Sequence, residues 1–102
     1  MINVKEISGI SDFEVGEEKV KDREVRTVYR VGSRAFLVDN KNTLEVRCDE
    51  KLGKLLRSKF ESVMESRYFG RGGIEIVKAG KQLEKAELED LVRLSYNLTR
   101  EN

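Results

Sequence analysis

Histidine, proline and tryptophan do not occur in this chain of 102 residues, and cysteine occurs once. A single thiol cannot close an internal disulfide, and one thiol without any imidazole cannot assemble the ligand set of a zinc-type centre. Acid–base and nucleophilic catalysis both lose their commonest partner when histidine is absent. The expectation is a protein that is not an enzyme and carries no cofactor or metal. No apolar run approaches the roughly 18 residues of a bilayer span, and residues 1–10 lack the apolar segment of a secretory signal. A cytoplasmic protein with no membrane partner is expected. There is no Gly/Ser-rich linker and no repeat at a solenoid period, so residues 1–102 read as a single domain.

Charge is what the chain has in excess. Charged residues make up 38% of it, against about 25% in ordinary soluble proteins. The 20 basic and 19 acidic side chains nearly cancel, leaving a net charge of +1, which excludes a uniformly cationic coat for polyanions. The distribution is uneven. Residues 1–18 hold one basic side chain against five acids, residues 19–47 eight against four, and residues 66–81 four against one. Two basic stretches therefore lie between acidic ones, and a fold could gather them on one surface.

Between Val25 and Cys48 apolar and polar residues alternate with a period of two, the mark of half-buried strands. Gly32-Ser33 suits a two-residue hairpin turn pairing Val31 with Arg34 and Tyr29 with Phe36. Keeping Phe36 and Val38 on the same face as Leu44 and Val46 then requires an odd loop, three or five residues long, from the stretch 39–43. After Cys48 the period becomes helical. Leu52, Leu55, Leu56, Phe60, Val63 and Met64 form an apolar stripe that Asp49 can cap, predicting a helix to about Glu65. Gly53 inside it implies either tight packing or a frayed first turn. Residues 66–69 read as a short strand, 70–73 as a glycine turn, and 74–78 as a strand with Ile74 and Ile76 inward. Leu88, Leu91, Val92, Ser95 and Leu98 share one face of a final helix. Ile7, Ile10 and Phe13 can anchor the N-terminal stretch, and residues 13–19 can form a first strand. The sum is an α+β two-layer sandwich: an antiparallel sheet of about five strands covered on one face by two helices.

Three segments carry a family likeness: Val31-Gly32-Ser33-Arg34-Ala35-Phe36, then Leu44-Glu45-Val46-Arg47-Cys48-Asp49 leading into a helix with Leu52, and Leu91-Val92-Arg93-Leu94-Ser95-Tyr96-Asn97-Leu98. Their order and spacing over residues 25–99 resemble the MmcQ/YjbR-like family. Arg47 matches that family's basic residue in the third-strand motif, and Ser95-Tyr96 its Ser-Tyr pair. The resemblance implies a small α/β domain related in fold to frataxin-like and secretion-chaperone-like proteins, with DNA binding as the implied role. The tryptophan that usually opens the family's strand near Ile74 is replaced by Gly73. The histidines and asparagine beside it are missing as well, and the N-terminal helix is shortened or replaced.

Arg26, Arg30 and Arg47 share the parity facing away from the helices, with Val28, Leu37 and Glu45. Three guanidiniums there can bind phosphate oxygens through paired hydrogen bonds, or simply make cross-strand ion pairs on a wet sheet face. Exposed Val28 and Leu37 would instead suit a protein partner. Arg67, Tyr68 and Arg71, set among Phe69 and glycines, combine charge, rings and free backbone as a single-strand platform does. The alternative is a hairpin turn whose rings pack as core. Lys78 completes the candidate nucleic-acid contacts, since residues 66–81 are basic. Cys48 is expected to be buried structure. The leading expectation is a nucleic-acid-binding module of weak, salt-dependent affinity, for which Arg67→Ala with Arg71→Ala should weaken binding and leave Tm nearly unchanged. The second is an adaptor or chaperone-like homodimer using the open sheet face.

Overall fold

Alternating side chains carry residues 14–47 into four successive antiparallel strands, seen in a computed structural model that describes residues 2–101. These are β1 (Glu14–Lys21), β2 (Glu24–Val31), β3 (Arg34–Asp39) and β4 (Thr43–Arg47). Helix α1 (Glu50–Lys59) follows, then β5 (Val63–Ser66), β6 (Gly70–Val77) and α2 (Lys85–Glu101). The sheet order is β1-β2-β3-β4-β6-β5, antiparallel throughout. Both helices lie on one face, so the fold is the α+β two-layer sandwich anticipated, with six strands rather than about five.

Gly32 and Ser33 both adopt positive φ, 57° and 67°. That is the primed turn whose twist matches paired strands, and Val31 faces Arg34 as expected. Tyr29, however, pairs with Leu37 and Arg30 with Ala35, which leaves Phe36 as an extra residue in a β-bulge. A bulge turns two successive side chains toward the same side. Phe36 and Leu37 therefore both enter the core beneath the helices, while Ala35 and Val38 face the other way. The loop after β3 compensates for this. Asp39 pairs with Leu44 across the four residues 40–43, an even rather than an odd count. Phe36 and Val46 still end on the helical side, by a bulge and an even loop together.

Ser95 locks the bulge to α2. Its hydroxyl donates to the Phe36 carbonyl at 2.6 Å and accepts from the Arg47 N–H at 2.8 Å, joining β3 and β4 from above. The rings of Phe13, Tyr29, Phe36 and Tyr96 form a chain, with Phe36 edge-on to Tyr96 at 5.1 Å between centroids. Val4, Ile7 and Ile10 plug the core from the N-terminal side, and the Ser8 carbonyl accepts from Arg93 Nε at 2.6 Å.

Helix α1 stops sooner than the apolar stripe implies. Asp49 caps it by accepting from the Lys51 and Leu52 N–H groups, but Phe60 is already extended (φ −125°). Val63 and Met64 then alternate as a strand, one buried and one exposed. Gly53 is buried against the sheet, where a Cβ would sit at ordinary contact distance, 3.4 Å from Cys48 Sγ and 3.6 Å from Ile74. Cys48 is buried, and burial pushes its thiol pKa up, so the thiol stays protonated and inert. The strand and turn expected at 66–69 and 70–73 are reversed: the turn is residues 67–69, and β6 begins at Gly70.

Candidate functional site

On the face without helices, alternation sets Glu18 from β1, Arg26, Val28 and Arg30 from β2, Ala35 and Val38 from β3, Glu45 and Arg47 from β4, and Glu75 from β6. The 67–69 turn folds back across it. Tyr68 and Phe69 pack on Val28, Ala35 and Val38 as a small second core, their ring centroids 4.9 Å apart. The reading of these rings as packed structure is thus the one seen. Val28 and Leu37 do not form an exposed patch: Val28 is sealed by the two rings, and Leu37 passes under the helices through the bulge.

Two carboxylates hold the turn in place. Glu45 and Glu75 are cross-strand neighbours, 2% and 1% exposed. Glu45 Oε1 accepts from Ser66 Oγ at 2.7 Å and the Tyr68 N–H at 2.8 Å, and its Oε2 accepts from Asn40 Nδ2 at 2.9 Å. Glu75 Oε2 accepts from Arg67 Nη2 at 2.6 Å and Thr43 Oγ1 at 2.7 Å, and its Oε1 accepts from Arg67 Nε at 3.1 Å. Burial raises the Glu75 pKa, yet the Arg67 and Thr43 hydrogen bonds and the guanidinium charge outweigh it and hold the carboxyl below its ordinary value. Sequence reasoning missed both acids as scaffold. Alternation marks Glu45 and Glu75 as outward-facing, and nothing local reveals that a turn from elsewhere will cover them.

Guanidiniums cap the ring pair from both ends. Arg26 lies 4.9 Å from the Tyr68 ring centroid, and Arg47 lies 4.7 Å from that of Phe69. Arg26 and Arg30 share Glu18, at 2.9 and 2.6 Å. Those two hydrogen bonds, Arg30's first, pull the Glu18 pKa down. Arg47 differs from them. Its Nε donates to the Ala35 carbonyl at 2.8 Å, and it makes no ion pair among the described residues. Burial and the nearby charge of Arg34 both press its pKa down, and Arg47 itself has no acid paired with it among the described residues.

Of the seven expected contacts, Arg26, Arg30, Arg47, Arg67 and Tyr68 gather on this face, and exposed Arg71 shares the strand parity of Gly73 and Glu75. Lys78 stands apart from them, its Nζ 2.6 Å from both Asp39 Oδ1 and the Asn40 carbonyl. Gly73 lies beneath Phe69: a Cβ there would be 2.6 Å from the Val46 carbonyl oxygen and 2.7 Å from Phe69 Cβ. A tryptophan cannot occupy that position while Phe69 covers the sheet. Among the described residues no group of three or more His, Cys, Asp or Glu side chains is placed to hold a metal ion. No helix among them is long and apolar enough to cross a membrane.

The chain matches no protein-family model, and neither a curated protein nor a solved structure matches it.

Proposed function

We propose that the protein is a small binding module, not an enzyme, whose open sheet face contacts nucleic acid, in keeping with the MmcQ/YjbR-like resemblance of residues 25–99. The observation that carries this reading is Arg47, a half-buried guanidinium stacked on Phe69 beside Arg34, with no ion pair among the described residues. A phosphate would supply the missing anion. Arg26 and Arg30 each retain N–H groups beyond those used by Glu18, and guanidinium planes accept stacked bases as readily as rings do. Arg71 adds an exposed cation on the same face. The buried acids and the Glu18 pairs cancel much of this charge, so affinity is modest and falls steeply with salt.

Fluorescence anisotropy with a labelled oligothymidylate and with a short duplex tests the reading. Arg47→Met, which keeps the apolar contact with Phe69, and Arg71→Ala are each expected to weaken binding. Each should also lower the slope of log affinity against log salt by about one. Absence of any binding at low ionic strength removes the proposal.

A second reading rests on β1. Among the described residues this eight-residue strand pairs only with β2, and its own Val15 and Val20 are exposed beside the free edge, where another chain could add a strand. A protein that sediments as a strict monomer and captures no partner argues against it.

A further inference from the structure

The helical side carries a second, separate feature. Where the start of α2 crosses the ends of β4 and β6, a cavity of about 330 Å³ opens, floored by Leu44, Ile76, Leu83 and Leu88. Its rim is cationic. Lys78, Lys81 and Lys85 line it, and no acidic residue does. Lys78 is engaged by Asp39, but Lys81 and Lys85 make no ion pair among the described residues. Ser62 also lines the cavity. It is only 8% exposed, and its hydroxyl has no hydrogen-bond partner among the described residues. A buried hydroxyl without a partner is rare in folded proteins and calls for an explanation. Gly80 presses directly on Ser62, since a Cβ on Gly80 would stand 2.4 Å from Ser62 Cβ. That close approach shuts the hydroxyl away from solvent, and the next residue, Lys81, is held in the left-handed conformation at φ 51°.

An apolar floor and unpaired ammonium groups at the mouth are complementary to one ligand chemistry. We propose that this cavity binds a small amphipathic monoanion, an alkyl carboxylate whose chain lies on Leu44, Ile76 and Leu88 and whose carboxylate meets Lys81 and Lys85. The volume holds about ten non-hydrogen atoms at the roughly 30 Å³ a water-sized group occupies, which is the size of octanoate. Chain burial supplies affinity through the hydrophobic effect. The lysines supply the preference for an anion, each as a mobile point charge rather than a fork. The site is independent of the open-face reading, because it uses the opposite side of the sheet and none of the arginines there.

Titration of the isotopically labelled full chain with sodium octanoate, followed by NMR, tests the assignment. Saturable shifts are expected at the amides of Ser62, Gln82 and Leu83. Octanol and acetate, which lack the charge and the chain respectively, should bind at least tenfold more weakly. The surface double variant Lys81→Glu, Lys85→Glu should lose at least tenfold in octanoate affinity while keeping its Tm. The proposal is overturned if octanoate gives no saturable shift, if octylamine binds as well as octanoate, or if charge reversal leaves affinity unchanged. Co-sedimentation with anionic phospholipid vesicles by a protein that ignores octanoate would assign the lysines to a membrane headgroup and overturn it equally.

Discussion

Replacing Gly73 with alanine is expected to destabilise the protein by about 2 kcal/mol, a fall of roughly 10 °C in Tm for a domain of this size. The added Cβ would stand 2.6 Å from the Val46 carbonyl oxygen, which is fixed in the sheet, and 2.7 Å from Phe69 Cβ. Backbone cannot yield cheaply, so the phenylalanine must move, and with it the ring on which Arg47 rests. A glycine inside a strand costs conformational freedom and commonly marks just such a close approach. Gly16 in β1 provides the control. The nearest atom to a Cβ there is Arg30 Nη1 at 4.0 Å, and Gly16→Ala is expected to change stability by no more than about 0.5 kcal/mol. Thermal unfolding of the two variants side by side checks the argument, and equal losses would contradict it.

Removing Arg67 should cost about 2 kcal/mol at neutral pH. Truncating one partner of a fully buried pair costs roughly 3–5 kcal/mol because it strands the other charge. Here Glu75 is 1% exposed but the Arg67 side chain is 77% exposed, so solvent already screens the pair and the loss is smaller. The double replacement Arg67→Ala, Arg71→Ala is consequently expected to lower Tm through the loss of Arg67, rather than to leave it nearly unchanged as the sequence alone suggests. The pH dependence carries a sign. Glu75 titrates below its ordinary value of 4.5 in the folded protein, so its stabilising contribution is present above that value and is lost as pH falls through the folded pKa. Without the Arg67 guanidinium, burial is opposed only by the hydrogen bonds from Thr43 and from the residue 67 N–H, and the protonated form of Glu75 gains relative to the parent. The deficit of Arg67→Ala should therefore shrink between pH 7 and 4, and Glu75→Gln in the same background should recover much of the loss. Urea unfolding across that range checks this, and a deficit independent of pH would contradict the stranded-carboxylate account.

Both effects sit where local sequence reasoning loses its grip. Strand alternation, the Gly32-Ser33 turn, the Asp49 cap and the face of α2 containing Val92 and Ser95 are patterns of neighbouring residues, and each was legible. The bulge at Phe36 was not, because it depends on Ser95 reaching down from a helix some 60 positions away to satisfy the Phe36 carbonyl and the Arg47 N–H. That single extra residue sent Leu37 inward and Val38 outward, the Tyr68 and Phe69 rings sealed Val28, and together these removed the expected apolar patch. The end of α1 was obscured because Val63 and Met64 continue the helical stripe while also satisfying a strand. Arg26, Arg30 and Arg47 were legible as a cluster from parity alone. Their separate circumstances were not, since Glu18 binds two of them and Phe69 props the third through contacts made only in three dimensions.

Chemical-shift mapping of the labelled protein with an oligothymidylate at low ionic strength tests the proposed role most directly. The account predicts perturbations confined to the open face, at Arg26, Arg30, Arg47, Tyr68, Phe69 and Arg71, all fading as salt is added. Perturbations centred on α1 and α2, or none at any salt concentration, would contradict it.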